Sequence, residues 1–330
     1  MFFSEQQLIN AIFNSNLNNF DELCLHLFRV QYKNNKIYRK YCNFIGITDP
    51  TVIRVVEKIP FLPVSLFKTH QVLASDKPVH TTFFSSATGG SGQSKHYLTD
   101  ITLYQKSFIT AFELKFGSTQ NYCFLALLPS YIEREGSSLI YMVQHLMNVS
   151  AHPLNGFFLY DHLKLQQRIK TLEESAQNYV LFGVSFALLD FVKKADVEIK
   201  TGKIIETGGM KGRKKEMTKM EVQQRLQQGL KTTAVYSEYG MTELLSQAYA
   251  KNDGMYDCPP WMKVFISDPT DPFVYVDCGK TGVVNVIDLA NINSCCFIQT
   301  SDLGRKNKQE QFEVLGRLDH SDLRGCSLMI

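Results

Sequence analysis

The sequence predicts an α/β fold: a large domain whose mostly parallel sheet is flanked by helices, then a smaller β-rich subdomain. Strand-like apolar runs alternate with helical periodicity up to about residue 264, which is typical of parallel α/β sheets. The run NYCFLALLPS is continuously apolar, as strands buried on both faces are. From about Phe265 only strand-like runs follow: VFISD, FVYVD, GVVNVIDL, SCCFIQTSD and QFEVLGRLD. We therefore expect a helical N-terminal segment and α/β core over 1–264 and the β-rich subdomain over 265–330.

The elements follow from the local patterns, taken along the chain. Residues 4–58 have apolar positions at three- and four-residue spacing and predict helices, which Pro60 and Pro63 end. VHTTFFSS predicts a strand, ATGGSGQSK a glycine-rich turn, HYLT a return to extended structure, and residues 100–116 a helix. SSLIYMVQHLM predicts the helix after NYCFLALLPS, GFFLYD a strand and HLKLQQRIKTLEESA a helix. YVLFGVSFALLDFVKKA predicts a strand that turns into a helix, and VEIKTGKIIETGG ends in another strand. EMTKMEVQQRLQQGL then predicts a helix, and TTAVYSEYG a strand that runs into a turn.

Composition excludes several classes of protein. A net charge of +3 on 330 residues indicates neither a nucleic-acid binder nor an acidic-tailed protein. The eight cysteines have no C-x-x-C spacing and lie mostly in apolar runs, which favours buried, reduced thiols. The N-terminus lacks the pattern of a signal peptide, and no window approaches the length of a membrane span. We expect a cytoplasmic protein.

Three motifs indicate nucleotide chemistry. The first is Ala87 to Lys95, ATGGSGQSK. Its glycines can point backbone N–H groups into a concavity, and its hydroxyls and lysine add donors, which suits a polyphosphate. It is not a Walker loop, and a flexible surface turn is the alternative.

The second motif is YSEYGMTE, residues 236–243. A carboxylate just beyond the carboxyl end of a strand suits Mg²⁺, and ligands of open α/β sheets bind at that edge. The alternative is a helix start, in which Thr242 is the N-cap and Glu243 lies in the first turn. The sequence leaves both interpretations open.

The third motif joins TSDLGR (300–305) with GRLD (316–319). Asp302 could accept hydrogen bonds from both hydroxyls of a ribose, and Arg317 could reach the same nucleotide. Taken separately, an aspartate in a turn and a Gly-Arg pair in a hairpin are unremarkable.

In this order, the motifs resemble the adenylate-forming superfamily of acyl-CoA synthetases, luciferases and peptide-synthetase adenylation domains. The family's Y-G-x-T-E is intact, and TGGMKG (207–212) and GKTGVV (279–284) stand where its adenine-binding strand end and a later strand motif fall. The chain departs from the family at Gly90, where threonine is usual, at Ser94, where proline is usual, and at Ser301, which replaces a glycine.

Within the superfamily, LPSYIEREGSSLIYM, ETGGMKGRKKEM and GRLDHSDLRGCSLMI are similar to the LuxE-type acyl-protein synthetase of bacterial bioluminescence. The chain stops eleven residues after Asp319, so we expect it to lack the superfamily's mobile C-terminal domain and its lysine. The resemblance implies that acyl-AMP forms, that the acyl group, from a fatty acid, moves to Cys326, and that a partner acyl reductase receives it.

The resemblance also implies the site residues. It makes Lys95, Thr242, Glu243 and Cys326 catalytic, with Glu243 the ligand of Mg²⁺ and Thr242 at the α-phosphate. It places Thr88, Gly89, Ser91 and Gly92 with Lys95 at the pyrophosphate, and Gly208 and Gly209 at the adenine. It places Asp302 at the ribose and Arg317 at the ribose or a phosphate. It also counts Gly90, Tyr239 and Gly240 among the residues that bind ATP.

The sequence is also compatible with other functions. The chain could be an acyl- or aryl-CoA ligase like the phenylacetate ligases, or a non-catalytic scaffold that keeps the fold. His96 is favoured as a structural histidine over a residue lining a carboxylate pocket. The basic run KGRKKEMTK (211–219) is favoured as a solvated helix start over a contact with phosphates or an acidic partner.

Overall fold

A computed structural model describes residues 4–86, 92–129, 134–208, 217–233 and 235–318. The helices, in chain order, are α1 (Glu5–Phe13), α2 (Phe20–Asn34), α3 (Lys36–Phe44), α4 (Leu66–Thr69), α5 (Ile101–Phe116), α6 (Ser138–Ser150), α7 (His162–Glu174), α8 (Ser185–Val192) and α9 (Lys219–Leu230). The strands are β1 (Leu62–Pro63), β2 (Thr81–Phe84), β3 (Lys95–Leu98), β4 (Cys123–Leu127), β5 (Gly156–Phe157), β6 (Tyr179–Val184), β7 (Lys203–Thr207), β8 (Val235–Tyr239), β9 (Ala248–Lys251), β10 (Tyr256–Asp257), β11 (Met262–Ser267), β12 (Gly282–Asp288), β13 (Phe297–Lys306) and β14 (Phe312–Arg317).

The chain divides into two compact units, and the division differs from the one expected from the sequence. The first unit joins Met1–Pro78 to Pro260–Ile330, and the second is Val79–Pro259. The expected boundary after residue 264 lies close to the observed one. However, the N-terminal helices group with the C-terminal strands and not with the α/β core.

Buried hydrogen bonds between residues far apart in the sequence account for this grouping. Gln31 on α2 donates to the carbonyls of Asn291 and Ile292, each at 3.1 Å, and accepts from the Cys296 N–H at 2.8 Å. Strands β11 to β14 form an antiparallel series in chain order, and β1 pairs in parallel with β13. The β-rich subdomain that the sequence predicts is therefore present, with α2 packed against it.

The second unit contains the mostly parallel sheet. Its strand order is β10-β9-β8-β7-β6-β4-β5, with β5, β4, β6, β7 and β8 parallel and β9 and β10 antiparallel. The central strands β4 and β6 are buried along nearly their whole length, as expected where helices cover both faces. The predicted α/β fold class is thus confirmed, and the carboxyl ends of β7 and β8 lie side by side.

Local chemistry explains several boundaries. The carboxylate of Asp100 accepts the Thr102 N–H at 2.9 Å and starts α5. The strand predicted at FVYVD is wrong: within those residues only an isolated bridge joins Tyr275 to Ser267. Asp268 instead caps a turn by accepting the Thr270 N–H at 2.7 Å, which bends the chain there. No helix within the described ranges is both long and apolar enough to cross a bilayer.

Candidate active site

The glycine-rich loop connects the two strands of an antiparallel hairpin, β2–β3. Its base is closed by Ser85 and Ser94: the Ser85 N–H donates to the Ser94 carbonyl at 3.1 Å, and the Ser94 N–H donates to Ser85 Oγ at 2.9 Å. Proline, usual in the resembled family at position 94, has no N–H and could not make the second bond. This departure therefore replaces a rigid residue with a hydrogen-bonded closure.

The structure describes only part of the loop itself. Residues 87–91, which include Thr88, Gly89, Gly90 and Ser91, lie outside the described residues. Gly92 follows them, and Lys95 begins β3 with an exposed side chain. The roles assigned to the loop residues stay predictions.

His96 joins the hairpin to the second motif. Its Nδ1 lies 2.8 Å from the backbone oxygen of Thr242, and its side chain is 1% exposed. A carbonyl oxygen only accepts, so Nδ1 must carry the hydrogen and donate it. Two motifs that are 146 residues apart in sequence are thereby held together in the second unit.

The YGMTE motif forms a turn at the carboxyl end of β8. Tyr239 is the last residue of the strand, Gly240 follows, and the next regular element is β9, beginning at Ala248. The alternative of a helix starting at Thr242 is therefore wrong. The Leu244 N–H donates to the Met241 carbonyl at 3.2 Å, which closes a tight turn, and Glu243 is buried within it.

Two buried carboxylates lie just before the strand ends. Glu206 on β7 is fully buried and accepts from Ser185 Oγ at 2.6 Å, from Ser237 Oγ at 2.5 Å and from Lys219 Nζ at 2.7 Å. Glu238 on β8 accepts from the Thr207 hydroxyl. Buried charges require such partners, so these contacts fix the two strand ends against each other.

Burial raises the pKa of Glu238 to about 7, because the Thr207 hydrogen bond and the Lys219 charge only partly offset the loss of water and the nearby Glu206 carboxylate raises it further. The folded protein therefore holds a proton on Glu238 between pH 4.5, the ordinary value, and about 7, where the unfolded chain has lost it. Stability must fall as pH rises through this window.

We therefore expect Glu238→Gln to flatten the pH dependence of stability. Glutamine keeps a carbonyl oxygen for the Thr207 hydroxyl but does not ionise. Relative to the wild type, the variant should gain up to about 3 kcal/mol of unfolding free energy between pH 5 and pH 8. Urea unfolding at four pH values checks this, and a difference between the two proteins that stays constant with pH would contradict the raised pKa of Glu238.

Gly208 directly follows β7 in a conformation that favours glycine. Its φ of +73° lies in the left-handed region, which side chains with a Cβ rarely adopt. Its carbonyl oxygen accepts from Lys219 Nζ at 3.1 Å, and Ser185 Oγ lies 3.2 Å away. The next residue, Gly209, lies outside the described residues.

In the first unit, the third motif forms two paired strands and not a turn. Asp302 on β13 is the cross-strand partner of Arg317 on β14, and Arg317 Nε lies 3.4 Å from Asp302 Oδ1. The Arg317 side chain is 69% exposed, whereas that of Asp302 is 11% exposed. Gly304 is required here, because a Cβ on it would lie 2.4 Å from the Glu313 carbonyl oxygen. The structure thus brings the predicted aspartate and arginine together.

The cysteines separate by environment. Cys326 lies outside the described residues. Cys295 and Cys296 are fully buried, and burial raises the pKa of both thiols, so they are poor nucleophiles. Cys278 is exposed.

Sequence reasoning missed two residues of this region, Glu206 and Lys219, which form an ion pair around a buried carboxylate. His96, which the sequence favours as a structural histidine, is buried and donates to the Thr242 carbonyl. Lys219 is the last residue of the basic run 211–219, for which the sequence pattern favours a solvated helix start. A single glutamate and a single lysine thirteen positions apart give no local signal of pairing. Among the described residues, no three side chains of histidine, cysteine, aspartate or glutamate come together as a metal cluster.

One family model matches the N-terminal part of this chain. Residues 5–130 match the family model "Acyl-protein synthetase, LuxE", a range that includes the glycine-rich loop but none of the later motifs. No curated protein matches the sequence.

Solved structures share the fold. ATP-bound MatB from Rhodopseudomonas palustris aligns with a TM-score of 0.56 and 15% identity, over 74% of this chain and 49% of that one. The chain thus spans about half the length of that protein. An open conformation of 2-hydroxyisobutyryl-CoA ligase in complex with 2-HIB-AMP and CoA aligns with a TM-score of 0.67 and 11% identity, over 97% of this chain and 80% of the other. The chain is therefore LuxE-like over residues 5–130, and its fold is that of the adenylate-forming ligases.

Proposed function

We propose that this protein activates a carboxylic acid with ATP as an acyl-adenylate and then passes the acyl group to a thiol. The observation that carries this proposal is the 2.8 Å hydrogen bond from His96 to the Thr242 carbonyl. It holds the strand that leaves the glycine-rich loop beside the turn that carries Thr242 and Glu243. A phosphate-binding loop and a carboxylate are the groups that an attack on the α-phosphorus of ATP requires.

The chemistry follows from the two substrates. A carboxylate oxygen attacks the α-phosphorus, the bond to the bridging oxygen breaks, and pyrophosphate leaves. Negative charge builds on the phosphate oxygens, so donors placed around them lower the barrier. Residues 88–92 and Lys95 bind the pyrophosphate, and Thr242 donates to the α-phosphate.

Glu243 is the residue that would hold Mg²⁺. The ion would neutralise phosphate charge when bound, and a site that uses one carboxylate together with substrate phosphates is usual for Mg²⁺. The buried position of Glu243 in a turn at a strand end fits that arrangement.

The nucleoside contacts are assigned residue by residue. Gly208 and Gly209 flank the adenine, with Tyr239 and Gly240 beside it, and Asp302 accepts from the ribose hydroxyls. Arg317, paired with Asp302 at 3.4 Å, orients that carboxylate or contacts a phosphate.

We assign the acceptor thiol to Cys326, from which an acyl-accepting protein, such as an acyl reductase, would take the group. The acid would be a fatty acid. These finer assignments rest on the family match over residues 5–130 and on the motifs.

The second candidate is acyl-CoA formation. Its support is the alignment of 97% of this chain with a ligase whose structure contains CoA and an acyl-AMP. Acyl-CoA produced by a Cys326→Ser variant would favour it over transfer to protein.

Exchange of labelled pyrophosphate into ATP tests the proposal. A panel of carboxylates of increasing chain length is supplied to the full chain with Mg²⁺. We expect exchange that depends on the acid. No exchange with any acid, together with no ATP binding by calorimetry, would favour a non-catalytic scaffold.

A further inference from the structure

Near the end of β7, a buried carboxylate forms an ion pair that the proposed chemistry does not use. Glu206 is fully buried, whereas the side chain of its partner Lys219 is 30% exposed. The lysine comes from the first residue of α9, eleven positions after Gly208. Its ammonium bonds both Glu206 Oε1, at 2.7 Å, and the Gly208 carbonyl oxygen, at 3.1 Å.

The environment keeps this ammonium charged. Burial alone would lower the pKa of Lys219, but Tyr256 and the Glu206 carboxylate raise it above its ordinary value. Ser185 and Ser237 donate to the same carboxylate from α8 and β8, and Gln223 Nε2 donates to Ser237 Oγ at 3.1 Å. The carboxylate is thus held by three donors from three elements. Ser185 Oγ also lies 3.2 Å from the Gly208 carbonyl oxygen, but its single hydrogen has the shorter contact with Glu206, at 2.6 Å. The Lys219 ammonium, with three hydrogens, can donate to both groups at once.

The hydrogen bond from Lys219 to the Gly208 carbonyl connects these side chains to the backbone at the end of β7. A left-handed φ of +73° is one of several conformations open to glycine, so the residue itself does not fix the turn. A charged donor on its carbonyl removes that freedom. The conformation of Gly208 therefore depends on Lys219 as its charged donor.

We infer that Lys219 is a positioning residue for the nucleotide base: it joins Glu206 to the Gly208 carbonyl and so fixes the strand end that flanks the adenine. The inference rests on the proposed function, which places Gly208 at the base. Lys219 touches no reacting atom and acts through the backbone.

Lys219→Met tests this in pyrophosphate exchange with the full chain. We expect the KM for ATP to rise ~10-fold with kcat and the KM for the acid nearly unchanged, because base contacts bind ground and transition states alike. The preference for ATP over GTP, as a ratio of kcat/KM values, should fall by a similar factor. That ratio does not depend on how much of the protein is folded. Lys219→Arg should restore part of it.

The double variant Glu206→Gln/Lys219→Met separates positioning from folding. Lys219→Met alone leaves a buried carboxylate without its cation, which is destabilising. Replacing Glu206 as well removes that charge, so urea unfolding should show recovered stability while the KM for ATP stays high. Lys193→Met, which removes an ammonium from an exposed pair with Asp190, should change neither.

The outcomes distinguish the inference from the proposed function. If the double variant recovers both stability and the wild-type KM for ATP, the ion pair is structural and the inference is wrong. An unchanged ATP-to-GTP ratio in Lys219→Met would also overturn it. A wild type that neither exchanges pyrophosphate nor binds ATP in calorimetry would overturn the proposed function and the inference with it.

Discussion

Glu243→Gln should reduce carboxylate-dependent pyrophosphate exchange by at least ~10²-fold, the scale seen when a key electrostatic group is removed from a transition state. Glutamine has the same shape and keeps one oxygen, so the buried turn after β8 should still form. What it lacks is the negative charge that Mg²⁺ requires. The loss should appear mainly as a higher requirement for Mg²⁺, and added Mg²⁺ should restore part of the rate.

A matched control is available in the same unit. Glu198→Gln removes a carboxylate whose side chain is 48% exposed and pairs with Lys200 at 3.4 Å, and we expect unchanged exchange. If Glu243→Gln lowers the rate and the unfolding free energy together, and Mg²⁺ restores nothing, Glu243 serves the fold and the metal assignment is wrong.

Cys326→Ser should abolish a covalent acyl-enzyme while leaving pyrophosphate exchange nearly intact. Adenylation precedes attack by the thiol, so removal of the thiol cannot slow the exchange step. In the transfer, the thiolate forms a bond to the acyl carbon and AMP leaves. The proteins are incubated with ATP, Mg²⁺ and the acid that supports exchange, and are then analysed by intact-protein mass spectrometry. The wild type should carry one acyl group that neutral hydroxylamine releases, and the variant should carry none.

The other cysteines supply the controls. Cys278→Ser removes an exposed thiol and should leave the adduct in place. Cys295 and Cys296 are buried with raised pKa values, so peptide mapping should find them unmodified. An acyl mass that persists in Cys326→Ser, or that maps to Cys295 or Cys296, would contradict the assignment.

The fold class could be predicted because it follows from local sequence patterns, namely apolar runs and helical periodicity. The capped start of α5 at Asp100 and the wholly buried strand β4 follow from a few neighbouring residues each. The grouping of the N-terminal helices with the C-terminal strands could not be predicted. It depends on contacts such as that of Gln31 with Cys296, which are 265 positions apart. Contacts at such separations produce no periodic pattern in the sequence.

The candidate site was only partly predictable for the same reason. The pairing of Asp302 with Arg317 follows once two strands are recognised, and both residues stood out by their motifs. The turn at Thr242 resembles a helix start in sequence, and only the pairing of β9 with β8 decides between the two. His96 and Lys219 act through backbone carbonyls of distant residues, and no residue type signals such a contact.

Isotope transfer from the acid to AMP tests the formation of an acyl-adenylate most directly. The acid that supports exchange is supplied with ¹⁸O in both carboxylate oxygens, and the AMP released after acyl transfer is analysed by mass spectrometry. Because a carboxylate oxygen attacks the α-phosphorus and the later thiol attack breaks the bond at the acyl carbon, AMP should carry one ¹⁸O. AMP without label, or ADP as the nucleotide product, would show that the acid is not activated through an adenylate.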